Sequence, residues 1–298
     1  MNVYVVILIQ TLLGGLTHIV AKSVTNDVDA VTLTFMRSIV SLIGLSGLLW
    51  WRGVKIHVSG KDWKRLALLG VFGTGNQLLY MYGVHFTTAA NGALLYATTP
   101  VIVLVFSRAF LGEKITAKKS IGILMAVLGV SVVIFERGIS LSSEYTYGNI
   151  VVLIAVCAWG LFTILGKSMV ISYGPLQTIT VAAFLGGAML FPFGVFSASK
   201  FDFSLLTTLD WTGILYLGLG TSLLSYLLWY YALRRIEASR LAVFSNGQPI
   251  VAALLSVVFL QYTITSAFLI GGTITVAGVV LTQQRSDTSF FHIVKRAR

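Results

Sequence analysis

The chain has 298 residues, 56% of them hydrophobic and only 10% charged, with a formal net charge of +11. A soluble domain carries about a quarter charged residues, so a soluble globular protein is excluded. No basic run outside the apolar segments is interleaved with aromatics, so the positive balance does not point to nucleic acid.

Apolar runs recur from end to end, near 3–21, 31–50, 65–84, 90–110, 118–135, 149–169, 174–197, 211–232, 239–260 and 265–283. Each is long enough to cross a hydrocarbon core about 30 Å thick. The chain reads as an all-α polytopic membrane protein with ten transmembrane helices. MNVYVVILIQ at the start lacks a basic stretch before its apolar run, so that run is expected to be retained as a helix. Cys157 lies inside an apolar run and, as the one cysteine, can form no intrachain disulfide.

The spans carry polar side chains at helical spacing. In the first, Thr11, Gly15, His18 and Lys22 share a face. The second contains Arg37, which is costly at that depth and needs a partner; a carboxylate is one choice. In the third, Gly73, Gln77 and Tyr80 form a stripe with Asn76 beside them. The fourth offers Tyr96 and Thr99 just ahead of Pro100. The sixth has Gly160, Thr163 and Lys167, flanked by Trp159. The eighth repeats a stripe with Ser222, Tyr226 and Trp229, and the ninth has Ser245, Asn246 and Gln248 ahead of Pro249. Proline inside a helix frees a backbone carbonyl, tolerated in a membrane where protein or a wet cavity satisfies it. Trp50, Trp51, Trp63 and Trp211 fall at span ends and read as interfacial anchors.

Laid over itself, the chain repeats. At an offset of 149, Pro100 meets Pro249, Gly122 meets Gly271 and Gly129 meets Gly278; at 145, Gly15 meets Gly160 and Lys22 meets Lys167. Two five-helix copies, 1–140 and 149–285, account for this, with 286–298 a basic tail. Five is odd, so the second copy is inverted in the membrane, an architecture of many secondary transporters. Charge follows side rather than ancestry. Seventeen of the 21 basic residues fall in one set of alternate loops and termini, which positive-inside bias places in the cytoplasm with both termini. GEKITAKKS (112–120) is therefore inside, and its uncharged partner QYTITSAFL (261–269) outside.

Several motifs fail. GLFTILGKS (160–168) puts five residues between Gly160 and Gly166 where a phosphate loop needs four. No HExxH, GxSxG or paired Cys/His spacing occurs, and no carboxylate lies within a span, so neither an enzyme, a metal nor a cofactor is expected.

Ten helices in two halves, the prolines of the fourth and ninth, LGEKIT followed by Gly122 and Gly129, and Phe35-Met36-Arg37 resemble the EamA-like family of the drug/metabolite transporter superfamily. The resemblance covers about 1–285 and departs at LQY (260–262), where a second Gly-Glu would be usual. It implies a central cavity walled by helices one, three, four, six, eight and nine. It also implies that Arg37 makes a structural bond to neighbouring backbone. The expected function is secondary transport of a small metabolite, amino-acid-like or amphipathic, across the cytoplasmic (inner) membrane. Export by alternating access is the expected mode. A flippase for a lipid-linked substrate and a proton-coupled drug exporter are the alternatives. The expected solute contacts are His18, Asn76, Gln77, Tyr80, Tyr96, Thr99, Trp159, Tyr226, Trp229, Ser245, Asn246 and Gln248, with Pro100 and Pro249 as helix breaks. His18 is the one candidate for proton coupling. The expected partners are a small-molecule solute and the lipid bilayer, in a monomer or homodimer, without nucleic acid.

Overall fold

The computed structural model describes residues 2–87, 89–135, 143–251, 254 and 265–284, and among these it is helical with no strand. The first three runs are α1 (Val3–Val24), α2 (Ala30–Trp51) and α3 (Trp63–His85). The fourth is split into α4 (Ala89–Ala97) and α5 (Thr99–Leu111). Then follow α6 (Ala117–Phe135), α7 (Thr146–Tyr173) and α8 (Pro175–Ala198). The eighth run is α9 (Thr208–Leu215), a π-helical stretch Tyr216–Ser225 and α10 (Tyr226–Leu233). The ninth opens with α11 (Ala238–Ala242) and a tight turn Val243–Asn246 before helix resumes at 247–251. The tenth is α12 (Ser266–Gln283).

Among the described residues, eight helical stretches are long and apolar enough to cross a membrane. α3 has the length, at 23 residues, but Thr74, Asn76 and Gln77 dilute its middle. The loop 136–142, the segment LQY and the tail lie outside the described residues. Trp50, Trp51, Trp63 and Trp211 are exposed at span ends.

Helix starts follow local chemistry. Asp29 Oδ1 caps α2, accepting from the N–H of Val31 and Thr32 at 3.0 Å and from the Ser197 hydroxyl at 3.0 Å. Burial pushes this carboxyl up, but bonds from Thr32, Ser197 and Val31 outweigh it and hold it below its ordinary value. Thr207 and Asp210 form a reciprocal capping box at α9.

The proline break of the fourth run is chemically complete. Pro100 has no N–H for the Tyr96 carbonyl four residues back. Thr99 Oγ1 donates to that carbonyl at 2.6 Å, and Thr98 Oγ1 to Leu95 O at 2.6 Å. In the ninth run the Ser245 hydroxyl donates to Ala242 O just before Pro249.

The ten helices form two inverted repeats, and their contacts mirror each other. A Cβ on Gly15 would meet Val251 Cγ1 at 2.8 Å, and one on Gly160 would meet Ile102 Cγ2 at 3.0 Å. Both members of each pair are related by the sequence offsets, so α1 packs on the ninth span as α7 packs on the fourth. α6 and α12 pack together as a reciprocal pair. A Cβ on Gly129 would meet Gly271 O at 2.6 Å, and one on Gly278 would meet Gly122 O at 2.5 Å. Glycine is required at this seam because the backbones touch.

Candidate functional site

α1 and α3, both of the first half, meet the ninth span of the second. His18 Nδ1 lies 2.6 Å from Tyr80 Oη, and His18 Nε2 lies 3.2 Å from Gln248 Oε1. The amide oxygen of Gln248 can only accept, so Nε2 carries a proton; in the neutral ring Nδ1 then accepts from the Tyr80 hydroxyl. A neutral imidazole thereby has a partner at each nitrogen. Tyr96 stands edge-on to Tyr80, ring centroids 4.9 Å apart, and to His18 at 5.9 Å. Asn76 Nδ2 donates to Tyr96 Oη at 2.5 Å and to Ala155 O at 2.8 Å. Five of the expected contacts, from α1, α3, α4 and the ninth span, thus form one polar cluster at the two helix breaks.

A second cluster is its image. Thr163 and Trp229 are the repeat partners of His18 and Tyr80, and Trp229 Nε1 donates to Thr163 Oγ1 at 3.3 Å. Trp159 packs on Trp229 at 5.4 Å, on Tyr226 at 5.2 Å and on Phe162 at 5.5 Å. This copy is aromatic where the first is polar. Gln77 approaches the Tyr226 hydroxyl.

Other expected residues are placed differently. Thr99 and Ser245 spend their hydroxyls on backbone carbonyls at the breaks. Asn246 is fully buried, and both its amide atoms are without a hydrogen-bond partner among the described residues. Lys22 and Lys167 cap helix ends: Lys22 Nζ reaches Val84 O at 3.4 Å, and Lys167 Nζ reaches Leu233 O at 2.5 Å and Ile236 O at 2.7 Å. Arg37 corrects an expectation. It bonds a side chain rather than backbone, with Nε at 3.0 Å and Nη2 at 2.9 Å from Ser222 Oγ. The π-helical stretch turns that hydroxyl toward α2.

The inner crevice, lined by Ser41, Gln77, Ser222 and Tyr226 among others, holds about 30 Å³, enough for a water-sized group. Among the described residues the polar side chains of the first cluster bond one another. A larger recess of about 370 Å³ lies at the rim, between Asp29, Phe196 and Lys200, and shares no residue with either cluster.

One end of the bundle is latched by charge. Glu113, buried, takes Ala238 N at 2.8 Å, Ser239 N at 3.2 Å and the Ser239 hydroxyl at 2.5 Å. Lys119 lies 3.9 Å from Glu113 and 2.7 Å from Glu237, which pairs with Arg240 at 2.8 Å. At the opposite end, among the described residues, Thr87 Oγ1 donates to Asn149 Oδ1 at 2.6 Å. The motif LGEKIT makes Glu113 conspicuous in the sequence, but its partners follow it by 125 residues and more.

The sequence profile of the EamA-like transporter family matches residues 1–135 and 146–283. An uncharacterized transporter of Bacillus subtilis, YetK, is 33% identical over 204 residues, which are 68% of this chain and 62% of that protein. A second from the same organism, YyaM, is 25% identical, covering 94% of this chain and 95% of its own. A probable terminal-alkyne amino-acid exporter of Streptantibioticus cattleyicolor is 27% identical, over 76% of this chain and 75% of its own. One crystal structure superposes with a TM-score of 0.78 at 20% identity, over 94% of this chain and 96% of that one, and shares the fold. The mirrored helices, the paired proline breaks and these matches together lead to one conclusion: the chain belongs to the EamA-like transporter family and is a multi-pass membrane protein of the transporter class.

Proposed function

We propose that the protein exports a small zwitterionic or amphipathic metabolite, of amino-acid size, by alternating access between repeats 1–140 and 149–285. The observation that carries this is the cluster His18, Tyr80, Tyr96, Asn76 and Gln248, gathered at both helix breaks. Its amides, hydroxyls and aromatic faces suit such a solute better than a polyanion. The exporter among the relatives acts on an amino acid by its name, which supports the same size class.

The charged latch at Glu113 belongs to the end that positive-inside bias assigns to the cytoplasm, so this conformation is closed toward the cytoplasm. Moving between states then opens the charged latch, while the glycine seam of α6 and α12 holds the repeats together. Ser59 and Ser143 are both exposed. With Cys157 replaced, an impermeant thiol reagent on intact cells is expected to label Ser143→Cys and spare Ser59→Cys. The reverse pattern overturns the orientation.

Transport is tested by counterflow of labelled amino acids in proteoliposomes, where a saturable rate is expected. A pH gradient imposed with equal solute on both sides is expected to drive no accumulation, because the neutral ring of His18 satisfies both its partners without taking up a proton. Accumulation that vanishes in His18→Gln would make His18 the coupling residue and the protein a proton-coupled exporter. Lipid translocation without amino-acid counterflow would make it a flippase.

A further inference from the structure

Arg37 lies in the interior of the second span, 2% exposed. Its guanidinium has five N–H donors, and its partner among the described residues is a single oxygen, Ser222 Oγ, approached by Nε and Nη2. That oxygen is itself committed, since the Ser222 hydroxyl donates to Leu217 O at 3.0 Å. None of the ten acids in the sequence lies inside a span, so no protein carboxylate can approach it at this depth. Among the described residues the groups that face the charge are the phenols of Tyr226, Tyr96 and Tyr216. A permanent cation in a low-dielectric interior is costly unless paired.

Independent features surround it. The helix that carries Ser222 is π-helical over Tyr216–Ser225, a geometry concentrated at functional sites. The water-sized crevice is lined by Ser222 and also by Ser41, whose buried hydroxyl oxygen has no partner among the described residues. Gln77 and Tyr226 close its far side. The crevice thus has two serine hydroxyls, one of them bonded to Arg37, together with the amide of Gln77 and the phenol of Tyr226, and room for one small group.

We infer that Arg37, with Ser222 and Ser41, is an anion-binding point of the transport site, and that the solute presents a single carboxylate to it. Arginine matches a carboxylate through two parallel N–H bonds. A single guanidinium offers one such pairing and suits a monoanion. The rest of the solute lies toward Tyr96 and the His18 cluster. The inference rests on the transport reading above and narrows its substrate class.

The experiment uses four labelled probes of one carbon skeleton: leucine, leucinamide, 4-methylpentanoate and 4-methylpentanamide. Counterflow in proteoliposomes of the full chain is measured for each, together with saturable change of tryptophan fluorescence. Each acid is expected to exceed its amide by at least about 30-fold, the worth of a charge-assisted buried bond. Arg37→Gln should erase that preference, Arg37→Lys should retain part of it, and Ser222→Ala should keep most of it. Amides that move and bind as well as the acids overturn the inference, as does a preference that survives in folded Arg37→Gln. Should Arg37→Gln fail to fold, the wild-type comparison of acid with amide still decides. Movement of 4-methylpentanoate alone upholds Arg37 and overturns the amino-acid reading. Movement of none of the four overturns both.

Discussion

Glu113→Ala is expected to destabilise the folded protein by about 3–5 kcal/mol, the cost of breaking a buried ionic group by removing one partner. The carboxylate caps the first turn of α11 and accepts three bonds there, from Ala238 N, Ser239 N and the Ser239 hydroxyl. α11 is only five residues long, so little else holds its N-terminus. Removing the carboxylate also leaves Lys119, itself buried, with Glu237 as its remaining acid. Glutamine keeps the shape but sheds the charge and turns one acceptor into a donor, so Glu113→Gln should recover part of the loss. Thermal unfolding in detergent measures the first effect. The second is access: with the latch open, a cysteine at Ser245 should react faster from the side that carries Glu113. Unchanged midpoint and unchanged reactivity would remove Glu113 from any role in closure.

Transport should fall by roughly five- to 150-fold in His18→Ala and Gln248→Ala, because each leaves a buried polar partner unpaired at about 1–3 kcal/mol. In His18→Ala the Tyr80 hydroxyl and Gln248 Oε1 both lose their partner; in Gln248→Ala only Nε2 of His18 does. His18→Ala should therefore be the more severe. Tyr80→Phe isolates one bond, since it keeps the ring against Tyr96 and removes only the donor to Nδ1. It should lie at the lower end of the range. These effects are read as initial counterflow rates at equal protein in the liposomes, with unfolding midpoints as the check on folding. Normal rates in all three variants would place the solute elsewhere, the aromatic cluster of Trp159, Tyr226 and Trp229 being the next site to test.

The ten apolar runs, the two proline breaks and the internal repeat are all legible in the amino-acid sequence. Helix formation in a bilayer is a local matter: an apolar stretch of sufficient length must bond its own backbone, and Pro100 must free the Tyr96 carbonyl whatever surrounds it. Thr99 beside that proline reads from sequence as a solute contact, yet the fold uses its hydroxyl to satisfy the freed carbonyl. Helical spacing likewise places His18, Gln77, Tyr80 and Trp229 on inward faces, because period alone decides which side chains share a face.

Which of those faces meet is decided only by the tertiary structure. His18 and Gln248 are 230 residues apart, and Arg37 and Ser222 are 185 apart. Their pairing depends on how closely helices approach, and that is set by contacts such as Gly15 against Val251 and Gly129 against Gly271. The family resemblance implies backbone as the partner of Arg37. The π-helical stretch, which depends on how the eighth span packs, presents the Ser222 hydroxyl in its place. The sequence likewise shows the polar side chains of a cavity but not whether it stands open. Which of those side chains bond one another depends on how closely helices far apart in the chain approach.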